Sequence, residues 1–143
     1  MSDSLEFIQL KAQEAQNADV DFPVRGAMAT FLFKVMPVDG HTHPKELDRL
    51  VRILADDFSL STEEAEALIA HARKQENNRE TLTELAGLLK QQVSKRELLT
   101  LISHMWEMVF ADGKLHESEI MFVERVADLL EIPQDEVAAA MTE

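Results

Sequence analysis

Residues 38–53 read V-D-G-H-T-H-P-K-E-L-D-R-L-V-R-I, and residues 111–126, 73 positions later, read A-D-G-K-L-H-E-S-E-I-M-F-V-E-R-V. Asp39 falls on Asp112, Gly40 on Gly113, His43 on His116, Glu46 on Glu119 and Arg52 on Arg125. After a slip of one residue the match runs on, with Ala55-Asp56 over Ala127-Asp128, Leu60 over Ile132 and Glu64 over Glu136. Upstream, Phe33 falls on Trp106. Self-similarity at a fixed offset marks one supersecondary unit used twice. The unit reads as an apolar helix, a short Asp-Gly turn, an amphipathic helix and a shorter helix.

The rest of the chain agrees with helices. Apolar residues recur at spacings of three and four, Gly and Pro number only four each, and no alternating β-branched run occurs, so the expected class is all-α. Ser61–Glu64, Thr81–Glu84 and Ser94–Glu97 each place Ser or Thr three residues before Glu, the spacing of a capping box. Pro23, Pro44 and Pro133 fall where a first helical residue does not miss its N–H. Helices are expected at about 2–17, 23–36, 44–58, 62–75, 81–93, 95–111, 117–130 and 134–142. Residues 24–36 and 98–111 are apolar almost all round, which predicts a central buried pair. The helix after residue 43 instead carries one stripe, Leu47, Leu50, Val51, Leu54 and Phe58, and should wrap that pair. With the helices at about 2–17 and 81–93 as lead-ins, the expected architecture is one compact domain of seven to eight helices. Its two pseudo-symmetric halves span about 1–75 and 78–142.

Composition narrows the function. At 143 residues and 45% hydrophobic, the chain can bury a core without covalent support. It has no cysteine, which removes disulfides and thiolate chemistry. Fourteen Lys and Arg against 27 Asp and Glu give a net charge of −13, the wrong sign for phosphate backbones, so nucleic acid is not an expected partner. No apolar run reaches the roughly 18 residues of a membrane span, and the first residues lack a signal-peptide layout. The expected location is the cytoplasm. No nucleophile–base pair at recognisable spacing and no Gly-rich phosphate loop appear, so nothing argues for an enzyme.

The repeated Asp-Gly-x-x-His-x-x-Glu cluster carries the functional reading. The Asp ends one helix, Gly supplies a positive φ, and His and Glu lie three apart at the next helix start. Two carboxylates and an imidazole brought together form a reasonable donor set for a divalent cation. The expected ligands are Asp39, His43 and Glu46 in the first half and Asp112, His116 and Glu119 in the second; Glu107 and His41 stand nearby as further candidates. The same residues also read as plain architecture, with Glu at the third helical position, His at the N-cap and Asp in the turn. Histidine is an indifferent N-cap, yet it holds that place twice. An EF-hand does not fit: with Asp112-Gly113 at loop positions 5 and 6, positions 1 and 3 are Met108 and Phe110, and in the first half Val35 and Pro37.

The spacing W106-E-x-x-x-A-D-G-x-L-x-x-x-E119, with a D-G-x-x-x-x-x-E in the preceding half, resembles the tellurite-resistance TerB-like family over roughly residues 24 to 142. The resemblance implies an all-α fold of two helical halves and a cation-binding surface at Asp39, Glu46, Asp112 and Glu119, in a stress or tellurite-resistance setting. This chain has His43 and His116 where the family usually has Asp, which either tilts the donor set toward transition metals or only exchanges one cap residue for another. It also has Lys34 where relatives have a Glu matching Glu107. Lys34 and Glu107 are expected to snorkel from the ends of buried helices, or else to face each other across the pseudo-dyad. His104 reads as a hydrogen-bonded core histidine and His71 as a surface residue. A cation-binding module is thus the leading expectation. An acidic protein–protein adaptor with no metal and an unidentified protein partner is the alternative, and a two-metal hydrolase needs the clusters within ~4 Å of each other.

Overall fold

The computed structural model describes residues 22–36, 44–111, 113 and 115–141. Seven helices occupy them: α1 (Phe22–Lys34), α2 (Pro44–Asp57), α3 (Thr62–Lys74), α4 (Arg79–Gln92), α5 (Lys95–Val109), α6 (Glu117–Leu129) and α7 (Gln134–Met141). The helix expected at about 2–17 lies outside the described residues.

Helix starts sit where a side chain or carbonyl can take up free N–H groups. Ser61 and Glu64 form the expected capping box at α3, with both hydrogen bonds at 3.1 Å. Ser94 Oγ accepts from the Glu97 N–H at 3.2 Å at the start of α5. The box expected at Thr81–Glu84 is not the start of α4. Asn78 is the N-cap there, its side-chain oxygen accepting from the Thr81 N–H at 2.8 Å, and Thr81 lies inside the first turn. Asparagine caps as well as serine, so the earlier start is stable. Pro133 is one residue outside α7, where its carbonyl accepts from Glu136 and Val137, each at 3.1 Å.

The two apolar helices pair at the centre, as their composition predicts. Ala27, Ala29, Phe31 and Leu32 of α1 and Leu101, Ile102, Met105 and Val109 of α5 are all buried in one continuous core. Buried Thr30 is satisfied within α1 by donating to the Gly26 carbonyl at 2.7 Å. α3 lies along α1 and α7 along α5. The α1–α3 approach is close because Gly26 has no side chain: a Cβ there would stand 3.1 Å from the His71 ring. His71 is therefore half-buried rather than a surface residue, and its Nε2 meets the Gln75 amide at 3.2 Å. On the other side, Trp106 Nε1 donates to the Val137 carbonyl at 3.0 Å and pins α7 to α5.

The halves repeat down to the backbone. Beyond α2, Ser59 takes φ 53°, and beyond α6, 72 positions later, Glu131 takes φ 60°. Leu60 N–H bonds the Ala55 carbonyl at 3.0 Å, and Ile132 N–H bonds that of Ala127 at 2.9 Å. Both are the six-residue closure of a Schellman end, in which a left-handed residue satisfies orphan carbonyls. Gly113, in the turn before α6, has the positive φ its position predicts, at 77°.

Candidate cation site

α2 and α6 each begin at the end of an Asp-Gly segment, so each presents its third residue, Glu46 and Glu119, on the first turn. Both glutamates are buried, at 2% relative exposure. Glu64 and Glu97 hold the same helical position in α3 and α5 and are exposed. The four residues share one local role and differ only in surroundings, so burial of the first two comes from the tertiary structure and not from helix initiation. Burying a carboxylate is unfavourable unless charge or hydrogen bonds offset it. A helix N-terminus supplies part of that compensation, because its free N–H groups and dipole favour negative charge.

His116 is the N-cap of α6, with extended backbone (φ −104°, ψ 125°) and no side-chain capping hydrogen bond. Its carbonyl accepts from the Glu119 and Ile120 N–H groups at 3.0 and 3.1 Å. Its imidazole turns instead toward Glu119, with Nε2 3.9 Å from Oε1. The His116 side chain is 41% exposed against 1% for Glu119, which sets an imidazole at the surface over a deep carboxylate. Neutral imidazole and carboxylate are both good donors to a borderline divalent ion, so the two residues fit the expected chemistry. Asp39, His41, His43 and Asp112 lie outside the described residues. Among the described residues, no group of three His, Asp or Glu side chains converges so as to hold a metal ion.

Glu107 lies in the last turn of α5. Its Oε1 is 2.9 Å from His104 Nδ1, one turn back on α5, while His104 Nε2 contacts the Asp57 carboxylate at the end of α2. The two carboxylates flank opposite edges of one ring. His104 is thus a clasp between the halves and not merely a core histidine with one partner. Nothing in local spacing signals it, since Asp57 and His104 lie in different halves. Lys34 does not meet Glu107: its ammonium lies over the Phe33 ring, 5.5 Å from the centroid, and burial holds it below the ordinary lysine range.

Among the described residues, no helix is long and apolar enough to cross a membrane. A family model described as Tellurite resistance protein TerB matches residues 25–142. No curated protein and no solved structure matches the chain.

Proposed function

The chain belongs to the tellurite resistance protein TerB family, and from that premise we propose that it is a helical module that binds a divalent cation at its Asp-Gly-x-x-His-x-x-Glu clusters. The reading is carried by one contrast: Glu46 and Glu119 are buried where the capping glutamates Glu64 and Glu97 are exposed. Capping alone needs no burial. His116 adds to it, because a histidine that makes no side-chain cap but stands beside the buried carboxylate suits a ligand better than an N-cap. When bound, the ion would add positive charge beside two buried carboxylates. Glu119 and His116, with Asp112, would hold it in the second half; Glu46, with Asp39 and His43, in the first.

The test is calorimetric titration of metal-stripped protein with Zn, Mn, Ni and Ca. Saturable heat is expected for at least one of these ions, with a rise in melting temperature, since ligand at 100 times its Kd stabilises by about 2.7 kcal/mol. Glu46→Gln and Glu119→Gln should each weaken binding, and Glu64→Gln should not. Absence of heat up to millimolar metal, with an unchanged melting temperature, sinks the proposal. It would leave the acidic adaptor, in which the clusters are turns and helix starts only. That alternative is favoured by the ordinary backbone bonding of His116 to Glu119 and Ile120.

A further inference from the structure

The large exposed hydrophobic residues among those described, Phe110, Leu115, Met121 and Met141, all lie in the second half. The two halves share one scaffold, so exposure forced by the fold would recur at matching positions. It does not. Asp48 stands in α2 at the place of Met121, and Ile69, buried to 6%, stands in α3 at the place of Met141. Met121 is 58% exposed and Met141 41%. This apolar surface is therefore a property added to one copy.

Met121 and Met141 face one cleft. α6 and α7 meet over a shorter span than α2 and α3 do, and between them opens a cleft of about 800 Å³. Trp106 of α5 contributes to its lining, with Ile120, Ile132 and Val137. On α6, Glu124, Arg125 and Asp128 also line it, all exposed, with the two carboxylates one helical turn apart. A trough between two helices, apolar inside and edged by two carboxylates with Arg125 beside them, matches the apolar face of a third helix that sets its own cations against those carboxylates. Methionine walls suit such an occupant because the unbranched thioether adapts to irregular side chains. The chain's net charge of −13 adds long-range attraction for a basic segment.

We propose that the α5–α6–α7 cleft docks an amphipathic helix of a partner protein, one with an apolar stripe and Lys or Arg spaced to meet Glu124 and Asp128. Among the described residues, its lining includes neither His116 nor Glu119. Its test uses the single tryptophan, Trp106, as reporter. The full chain is titrated with three Trp-free 14-residue peptides: a Leu/Lys amphipathic helix, its Leu/Glu counterpart, and a Ser/Lys peptide of the same charge without an apolar face. Only the Leu/Lys peptide should shift the Trp106 emission and saturate in the micromolar range. Met121→Asp with Met141→Asp should weaken it at least tenfold, although the added negative charge would strengthen purely electrostatic binding. Leu115→Asp, an exposed position that does not line the cleft, should leave affinity unchanged; circular dichroism checks that the variants fold. Equal binding of the Ser/Lys or Leu/Glu peptide, or no effect of the double substitution, overturns the proposal. So does light scattering that finds a dimer which the double substitution splits, since a second copy then fills the cleft.

Discussion

Ser59→Gly and Glu131→Gly should each stabilise the protein, and Gly113→Ala should destabilise it. Ser59 and Glu131 sit at φ 53° and 60°, where an L-residue crowds its own carbonyl by about 1–2 kcal/mol. Glycine removes that strain but loses about 0.5–1 kcal/mol more backbone entropy on folding. The difference leaves a net gain of roughly 0.5–1 kcal/mol at each site. Neither side chain offsets this. Both residues are exposed, and Glu131 makes only a 3.8 Å surface pair with Lys90, an interaction worth about 0–1 kcal/mol. The closing bonds from Leu60 and Ile132 are backbone to backbone and survive the change. The two sites lie in different halves with no shared partner, so the double variant should gain about 1–2 kcal/mol by simple addition. Gly113 provides the opposite sign. A Cβ there meets nothing within 4 Å, so the full loss in Gly113→Ala is backbone strain at φ 77°, about 1 kcal/mol. Urea unfolding followed by Trp106 emission measures all four variants, since Trp106 is 3% exposed in the fold. An unchanged slope with a shifted midpoint reports stability alone. Destabilisation by Ser59→Gly, or a neutral Gly113→Ala, would refute the left-handed assignment of these helix ends and the backbone repeat built on it.

Two further outcomes concern the Asp57–His104 contact and the half-buried Lys34. A double-mutant cycle of Asp57→Asn and His104→Gln should show a coupling of at least about 0.5 kcal/mol, as for partly buried groups in one network; a coupling near zero removes the His104 clasp. Burial holds the Lys34 ammonium below its ordinary value of 10.5, so the folded chain binds fewer protons than the unfolded chain in the window just beneath that value. Stability carried by this group therefore rises as pH climbs through the window, and charged Lys34 is a burden at pH 7. Lys34→Met should raise the melting temperature at pH 7, with the difference shrinking as pH approaches 10.5, and a lower melting temperature at pH 7 contradicts it.

What could be read from the sequence was whatever depends on near neighbours and on the repeat. Periodicity located the helices, the all-round apolar composition of α1 predicted its near-complete burial, and Gly113 announced its positive φ. The register of the repeat also places Ser59 over Glu131, although neither is the glycine that usually flags a left-handed helix end. At α4 the Ser/Thr-x-x-Glu pattern pointed to Thr81, and Asn78 won because it offers the same cap three residues sooner. The remaining features depend on distances between elements. Asp57 reaches His104 only because α2 ends against α5. His71 is half-buried only because Gly26 lets α3 approach α1.

The same distinction bears on the repeated cluster. As a string, Glu46 and Glu119 cannot be told from Glu64 and Glu97, because all four follow a helix start by the same count and would serve the same N–H groups. Their difference appears only when the core closes over two of them and leaves the other two in water. Selection for capping would be satisfied equally by either environment. Keeping a carboxylate buried in both copies is a cost that capping does not require, and a bound cation would lower it. A neutral Gln would serve a cap about as well as Glu and would be easier to bury, so Glu46→Gln and Glu119→Gln separate the two roles cleanly. If the residues only start helices, the substitutions leave metal-stripped and metal-loaded protein alike; if they are ligands, the two forms diverge.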